Sequence, residues 1–221
     1  MKNIVIFGSG GHARSVSQEI LKDKNYNFLG FVDETKVVGD IVVKHKSKKY
    51  RVIGSIVKVF KKRKHFCGVI GIGLNHIRQK VLKDIIKVKK NFKFEKIISK
   101  DAIINKNVKI GEGSVIMSGA VVNIGTNIGN HCIINTSCSI DHDNNLDNFT
   151  SIGPGAITGG AVIIKKGSHI GIGSVVQQNI LINEGVIIGS NSFVNKNCKK
   201  KIVYFGSPAK KIRKVKKNEN F

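Results

Sequence analysis

Large aromatic side chains and proline are scarce in this chain. Tryptophan is absent, aromatic residues make up 6% of the 221 residues, and proline occurs twice. Few aromatic residues are expected of a β-helix packed with aliphatic side chains. No apolar stretch reaches the ~20 residues of a membrane-spanning helix, and the run before Gly8 is shorter than the core of a signal peptide. We therefore expect a cytoplasmic enzyme without a membrane span.

Cysteine is also rare. The chain has four, and none forms the Cys-x-x-Cys spacing of zinc or redox sites. Cys132, Cys138 and Cys198 share one phase of a six-residue pattern described below, which predicts that they pack in the interior, and Cys67 lies in a predicted strand. The sequence therefore predicts neither a disulfide nor a metal site.

Acidic residues are few, since 14 Asp and Glu stand against 38 Lys and Arg and leave a formal net charge of +24. A basic chain can bind nucleic acid. The excess is almost all Lys, however, and is spread over predicted loops and surface positions, as is typical of the Lys-, Asn- and Ile-rich products of AT-rich genomes. We expect no nucleic acid partner. A positive surface instead favours small anionic ligands, such as coenzyme A and nucleotide sugars.

A strict six-residue repeat organises the chain from about Ile98 to Val194. Every sixth residue is aliphatic except Thr158, and no residue is inserted or lost. Helices repeat every 3.6 residues and half-buried strands every two, so a period of six indicates a parallel β-helix. Three hexapeptides form one triangular coil of eighteen residues, and coils stack at ~4.8 Å. One branched side chain per face points inward and stacks on its equivalent in the next coil.

Small residues occupy most positions four places after each aliphatic one, where the chain turns a corner of the triangle. Glycine is frequent directly after the aliphatic residue. At these corners we expect backbone angles that other residues rarely adopt. The corner glycines are Gly111, Gly129, Gly153, Gly171 and Gly189.

The first third of the chain has the pattern strand, glycine turn, helix. Residues 3–7 form an apolar run, Gly8-Ser-Gly-Gly-His-Ala13 follows, and apolar residues then recur at helical spacing. A second apolar run, Phe28–Val32, ends in Asp33 and Glu34. This pattern is typical of a dinucleotide-binding, Rossmann-like fold, in which the acid lies near a ribose hydroxyl.

NAD binding is nevertheless disfavoured. The α/β part ends by about residue 97, which is too short for the two halves that hold a dinucleotide. An ordinary fingerprint requires no imidazole such as His12, and a β-helix follows in place of a catalytic domain for hydride transfer. One crevice suits one nucleotide or a nucleotide-linked sugar. The alternatives are a tight turn without a ligand and a non-acetyltransferase protein that binds NAD.

The other elements of this region follow from their local patterns. Lys44–Arg51 is predicted to be a basic loop, Ile53–Phe60 a short helix, and Phe66–Ile72 a strand. A helix is predicted to start near Asn75, which would serve as its N-cap. Phe92–Ile98 is predicted to be the last strand.

Three regions result. Residues 1–97 form a small α/β, Rossmann-like domain that binds a sugar nucleotide. Residues 98–198 form an all-β domain, the parallel β-helix. Residues 199–221 form a C-terminal segment that ends in a basic tail.

Histidine is the most informative residue type in a β-helix. His142 lies two places past the aliphatic Ile140, at a corner, and Asp143 follows it. Neighbouring side chains can converge at a corner, so the carboxylate can hold one ring nitrogen and raise the basicity of the other, as a general base requires. Gly160 lies one coil further on, where its N–H can receive a carbonyl oxygen as charge develops. Asn135 lies on the preceding face and can orient the acceptor or the histidine.

Two more histidines, His131 and His169, fall at other phases of the repeat. We expect them at the surface or at an interface. Three histidines in a β-helix can hold a metal between subunits, but these spacings place them at different corners. No metal is predicted.

Four stretches agree with one known family. They are Gly8-Ser-Gly-Gly-His12, Ile72-Gly-Leu-Asn-His-Ile-Arg78, Ile134-Asn-Thr-Ser137 with Asp141-His-Asp143, and Gly206-Ser-Pro-Ala-Lys210. Over nearly its whole length the chain resembles the bacterial sugar acetyltransferases grouped with the sialic acid O-acetyltransferases. That group includes enzymes that N-acetylate UDP-4-amino-4,6-dideoxy sugars in bacillosamine synthesis and the perosamine N-acetyltransferases.

The resemblance implies a homotrimer of left-handed β-helices with acetyl-CoA in the groove between two of them. It implies that His142 is the general base, Asp143 its partner, where some relatives carry Glu, and Gly160 the oxyanion donor. It also implies that the C-terminal segment, residues 199–221, covers the coenzyme. It implies coenzyme contacts as well, although relatives often have His where this chain has Ser151. The coenzyme contacts would be Ser151, Gly160, Ile172, Ser190 and Lys210. The sugar-nucleotide contacts would be Gly10, Gly11, His12, Asp33, Glu34, Gly73 and Asn75.

We therefore expect an acetyl-CoA-dependent acetyltransferase. Its acceptor would be an amino group of a UDP- or GDP-linked amino-dideoxy sugar used in surface glycan biosynthesis. The alternative within the same class is O-acetylation of sialic acid or a related nonulosonic acid, with the same base acting on a hydroxyl.

Overall fold

The computed structural model describes residues 1–216 and 219, and it contains two compact units. The first unit comprises residues 1–73 and 77–97. The second comprises residues 74–76 together with the chain from Ile98 onward. Each unit is described separately below.

The first unit is a five-stranded, mainly parallel sheet with helices, as predicted. Its strands lie in the order β3-β4-β2-β1-β5, and only the β3–β4 pair is antiparallel. Apolar side chains such as Val5, Phe7 and Ile70 form its buried core. The strands are β1 (Lys2–Phe7), β2 (Tyr26–Val32), β3 (Ile41–His45), β4 (Lys48–Gly54) and β5 (Cys67–Ile70). The helices are α1 (Gly11–Lys22), α2 (Ile56–Lys62) and α3 (Asn75–Val88).

The basic loop predicted for Lys44–Arg51 is wrong, because this segment is the β3–β4 hairpin. Lys48 and Lys49 are exposed, whereas the ring of Tyr50 stacks on Phe28 with centroids 5.0 Å apart. The helix predicted from Ile53 begins later, at Ile56, since Ile53 is still in β4. Ser55 caps that helix by accepting a hydrogen bond from the Lys58 N–H.

The strand predicted for Phe92–Ile98 does not form as a unit. Phe94 makes a single bridge to Gly68, and Phe92 packs edge-on against Phe7 instead of continuing a strand. Only Ile97–Ile98 is a strand, and it pairs with the first strand of the β-helix on its own face. Ring packing therefore replaces backbone pairing here.

The β-helix is confirmed, and its two-residue strands repeat every eighteen residues on three faces. Face 1 contains β6 (Ile97–Ile98), β9 (Val115–Ile116), β12 (Ile133–Ile134), β15 (Ser151–Ile152), β18 (His169–Ile170) and β21 (Ile187–Ile188). Face 2 contains β7 (Ile103–Ile104), β10 (Val121–Val122), β13 (Ser139–Ile140), β16 (Ile157–Thr158), β19 (Val175–Val176) and β22 (Phe193–Val194). Face 3 contains β8 (Lys109–Ile110), β11 (Asn127–Ile128), β14 (Asn145–Leu146), β17 (Ile163–Ile164) and β20 (Leu181–Ile182).

From β7 to β22 the second residue of each strand points into the triangle, and these residues form one continuous core from Ile116 to Val194. Cys132, Cys138 and Cys198 are buried in it, as their phase predicts, and burial raises the pKa of the Cys138 thiol to about 12.

The reason given above for the corner glycines is wrong. None of the five has a positive φ. They are required because successive coils approach closely: a Cβ on Gly153 would lie 2.8 Å from the Ile170 carbonyl oxygen, and one on Gly171 would lie 2.6 Å from that of Ile188. Positive φ angles occur two places later at each corner, for example at Gly155 and Asp143.

His131 is also not at the surface. It is buried, and its ring stacks on Phe149 with centroids 5.2 Å apart. His169 is half-buried on face 1. Both rings therefore lie along the packed part of the β-helix.

The C-terminal segment forms an antiparallel hairpin that continues face 1. It contains β23 (Ile202–Phe205) and β24 (Lys210–Lys214), and β23 pairs with β21. The end of the predicted basic tail, residues 217, 218, 220 and 221, lies outside the described residues. Over residues 1–216 and 219, no helix has the length and apolar character needed to cross a membrane.

Candidate active site

The corner that follows face 2, which we call the base edge, holds the predicted base and its partner. His142 Nδ1 lies 2.9 Å from Asp143 Oδ2. Both side chains are exposed, at 55% and 66%. A carboxylate on Nδ1 favours the tautomer with the proton there, so Nε2 keeps a lone pair that can accept a proton.

The local backbone explains why two neighbouring side chains meet. Asp143 has a φ of 57°, in the left-handed region, which turns the chain so that its carboxylate faces the ring. Asp141 fixes the preceding residue, since its Oδ1 accepts a 2.8 Å hydrogen bond from the His142 N–H. Asn123, one coil earlier, donates to the same Asp141 oxygen at 3.2 Å. The turn is thus held by polar side chains stacked across two coils.

The electrostatics favour a strong base. The hydrogen bond with Asp143, and next the charge of Asp141, raise the pKa of His142 above its ordinary value. Asp141 was not among the predicted site residues. The signal in the sequence that could have identified it is an acidic residue directly before His142, two places before Asp143.

Gly160 lies directly against the histidine ring. A Cβ built on Gly160 would be 2.5 Å from both Cε1 and Nε2 of His142. The imidazole therefore occupies the space of a side chain, and only glycine fits beneath it. Among the described residues no acceptor is paired with the Gly160 N–H. The structure thus brings the His142 imidazole and the Gly160 backbone together, as the eighteen-residue spacing predicts.

Three other predicted residues lie on a different corner of the same chain. Asn135, Ile172 and Ser190 follow strands of face 1, so they lie on the corner between faces 1 and 2, which we call the opposite edge. Asn135 Oδ1 accepts a hydrogen bond from the Thr136 N–H, and Ile172 is 56% exposed. Within one chain, face 2 separates this edge from His142.

Ser151 and Asn75 contact each other. Ser151 Oγ donates to Asn75 Oδ1 at 2.6 Å, and both side chains are buried. Asn75 Nδ2 donates to the carbonyl oxygens of Gly167 and Ser168 at 2.9 and 3.1 Å. Asn75 belongs to the second unit, so these contacts lie within that unit. Lys210 is exposed in β24, opposite Phe205.

The predicted nucleotide contacts of the first unit gather around the start of α1. Gly10 and Gly11 are exposed, and nothing lies within 4 Å of where a side chain would project. The α1 start has neither a side-chain cap nor an acidic residue in its first turn. Its backbone N–H groups therefore favour an anion.

His12 follows these glycines and is held neutral. Burial, and next the nearby charge of Arg78, lower its pKa to about 4, and its Nε2 is buried without a partner among the described residues. Arg78 is buried and donates to the Ile72 and Gly73 carbonyl oxygens at 2.9 and 2.7 Å. Sequence reasoning gave Arg78 no role, although it lies in one of the four characteristic stretches.

The two acids at the end of β2 already have partners. Ser9 Oγ donates to Asp33 Oδ2 at 2.6 Å, and the Thr35 N–H donates to Oδ1 at 2.9 Å. Burial opposes ionisation of Asp33, but these hydrogen bonds outweigh it and hold its pKa below the usual value. Glu34 accepts a 2.7 Å hydrogen bond from the Ile56 N–H at the start of α2.

Comparison with known proteins agrees with this geometry. Residues 3–85 match the model of the PglD N-terminal domain. The fold matches that of perosamine N-acetyltransferase from Caulobacter crescentus, solved as a mutant with CoA and GDP-perosamine. The TM-score is 0.87 and the sequence identity is 25%, over 96% of this chain and 97% of that one. The fold also matches the acetyltransferase domain of PglB from Neisseria gonorrhoeae, with acetyl coenzyme A, at 0.84 and 27% identity over 96% and 99%.

Over nearly its whole length the chain is similar to these sugar N-acetyltransferases. The resemblance stated from the sequence is thereby confirmed, as is the acyltransferase class. WeeI from Acinetobacter baumannii shares the fold. It is 22% identical, with a TM-score of 0.80 over 96% of this chain and 100% of that one. No curated protein matches the sequence significantly.

Among residues 1–216 and 219, no group of three His, Cys, Asp or Glu side chains is placed to hold a metal ion.

Proposed function

We propose that this protein transfers the acetyl group of acetyl-CoA to the amino group of a nucleotide-linked amino-dideoxy sugar, UDP- or GDP-linked, for surface glycan synthesis. The observation that carries the proposal is the His142–Asp143 pair lying across Gly160 in a chain similar throughout to sugar N-acetyltransferases. The similar structures contain CoA with GDP-perosamine in one case and acetyl-CoA in another.

The proposed chemistry uses two groups of this chain. The amine nitrogen attacks the thioester carbon, and the Gly160 N–H donates to the oxygen as negative charge develops there. His142 Nε2 takes the proton from the attacking nitrogen, and Asp143 stabilises the resulting imidazolium. A C–N bond forms, the C–S bond breaks, and the proton passes to the departing CoA sulfur. No covalent enzyme intermediate is needed.

A homotrimer would complete the site, and face 2 supports it. Its outward residues include Ile103, Ile157 and Val175, which are 58%, 45% and 39% exposed and line up along the prism. Apolar patches of this kind mark association surfaces. If three copies turn face 2 toward a common axis, the base edge of each meets the opposite edge of its neighbour. His142 would then face the partner's Asn135, with acetyl-CoA along the groove lined by Ile172 and Ser190.

The first unit would bind the nucleotide part of the acceptor. The open, uncapped start of α1 at Gly10 and Gly11 suits a diphosphate, and the neutral His12 can donate a hydrogen bond without adding charge. Asp33, Glu34 and Gly73 lie at the carboxyl ends of the neighbouring strands, where ligands of open α/β sheets bind.

The test is release of the CoA thiol from acetyl-CoA with a panel of acceptors. The panel contains UDP-4-amino-4,6-dideoxyhexose, GDP-perosamine, and free and CMP-activated sialic acid. We expect fast release with one amino-sugar nucleotide and a product carrying an amide. His142→Ala should lower kcat by ~10²–10⁴-fold with the fold intact. Release with sialic acids alone, or a fully active His142→Ala variant, would overturn the proposal.

A further inference from the structure

Asn144 is a polar exception in the core. It stands four places after Ile140, where most other corners carry a small or apolar residue, and its side chain is fully buried. Its amide nitrogen lies 2.8, 3.2 and 2.9 Å from the carbonyl oxygens of Asp141, His142 and Gly159. All three neighbours are acceptors, so the NH₂ group must face them.

These three carbonyls belong to the peptides that carry the site. The Asp141 carbonyl shares its peptide with the His142 N–H. The Gly159 carbonyl shares its peptide with the Gly160 N–H. Because the carbonyl and the N–H of a trans peptide point in opposite directions, drawing the Gly159 oxygen into the core turns the Gly160 N–H outward. That is the side on which the His142 ring lies.

The three carbonyls do not depend on Asn144 equally. Thr126 Oγ1 also donates to the Asp141 oxygen at 2.9 Å, and the Ala161 N–H donates to the His142 oxygen at 2.9 Å. For the Gly159 oxygen, Asn144 is the donor among the described residues. The Gly159–Gly160 peptide has no side chain of its own to prevent rotation.

We propose that Asn144 is a positioning residue that holds the Gly159–Gly160 peptide so that its N–H serves as the oxyanion donor. A hydrogen bond to the Gly159 oxygen also polarises that peptide and strengthens its N–H as a donor. This inference rests on the proposed function. The fold uses similar hydrogen bonds from Ser114 and Ser168 to carbonyls fifteen residues on, so this kind of contact is general. The peptide held by Asn144 differs in that it lies under the His142 ring.

The first test compares the kinetics of Asn144→Ala with Ser114→Ala, which removes a buried tie of the same kind away from the site. We expect Asn144→Ala to lose ~10–10²-fold in kcat, less than outright removal of an oxyanion donor, with little change in the KM for acetyl-CoA. Asn144→Ser keeps one donor and should recover part of the loss. Ser114→Ala should retain wild-type kcat.

The second test reads the donor directly. With a ¹³C=O-labelled, non-hydrolysable acetyl-CoA analogue bound, the infrared carbonyl band of wild type should lie below its position in buffer. In Asn144→Ala it should move back toward that position, which a purely structural defect would not cause at full analogue occupancy. An unmoved band with wild-type kcat would overturn the proposal.

Two further outcomes are separable. A wild-type enzyme that releases no CoA from any acceptor counts against the proposed function itself. An active wild type with equally active Asn144→Ala and Asn144→Ser counts against Asn144 alone. If Asn144→Ala does not fold, Asn144→Ser carries both measurements, and wild-type values for it refute the role.

Discussion

At the scale of single residues, the site is a short list of polar contacts on an exposed corner. His142 owes its basicity to Asp143 and then Asp141, and its position to a left-handed backbone turn at Asp143. Because both side chains are exposed, their coupling in the free chain is screened by water. Burial of the corner by ligands and neighbouring subunits would strengthen it.

Replacement of Asp143 by Asn tests that coupling through pH. Asp143 favours the protonated ring, so it raises the pKa of His142 and places the acid limb of kcat/KM above the pH of an ordinary histidine. General-base catalysis needs the neutral ring. Asp143→Asn should therefore move the acid limb to lower pH and lower the plateau of kcat/KM, since a less basic Nε2 accepts the proton less well. A limb that stays in place would refute the coupling.

At the scale of elements, the mainly aliphatic core of the β-helix contains a buried hydroxyl at Thr158. Thr158 points into the core between Ile140 and Val176, and its Oγ1 is buried without a partner among the described residues. An unpaired buried hydroxyl is destabilising, and valine has nearly the same shape.

Thr158→Val should stabilise the protein by ~1 kcal/mol, which corresponds to a rise in Tm of about 2–4 °C for a chain of this size. Thr126→Val is the matched control, because the Thr126 hydroxyl donates to the Asp141 oxygen and its loss should lower Tm. Thermal unfolding followed by circular dichroism measures both. A lower Tm for Thr158→Val would mean that its hydroxyl has a partner in solution.

The elements also show where sequence reasoning succeeds. The β-helix and the Cys132 and Cys138 positions are predictable because a strict period of six reports the side-chain direction of every residue. His142 and Gly160 meet because eighteen residues is one coil. The β3–β4 hairpin was missed because its many lysines suggested a solvated loop. The packing of Tyr50 on Phe28 is visible only in the structure.

Other features depend on contacts that the pattern does not encode. The burial of His131 follows from the ring of Phe149 one coil later. Asn144 could have been found as a polar residue at a core position, but its three acceptors are visible only in the structure. Arg78 was hidden in the same way, since its partners are backbone carbonyls.

At the scale of the whole molecule, the two edges beside face 2 belong to different sites in the proposed trimer. His142→Ala and Asn135→Ala should each reduce activity. When the two variants are unfolded together and refolded as mixed trimers, some interfaces pair an intact base edge with an intact opposite edge. We expect activity to recover to a measurable fraction of wild type.

The matched control mixes His142→Ala with Gly160→Ala. Both changes lie on the base edge, and a Cβ at Gly160 would displace the His142 ring, so no intact base edge forms and no recovery is expected. Size-exclusion chromatography with light scattering gives the assembly state. Recovery in the control, or monomers with full activity, would refute a shared site.

The corner after face 2 recurs with the same backbone in successive coils, at Ile124, His142, Gly160 and Gln178. Equivalent corners of successive coils are therefore ~4.8 Å apart, and one of them carries the proposed general base. Moving the His-Asp pair by whole coils, together with the glycine that lies one coil beyond it, would keep the corner backbone and alter how far along the prism the reacting amine must reach. Acceptor length is therefore a quantity that the repeat can set in discrete steps.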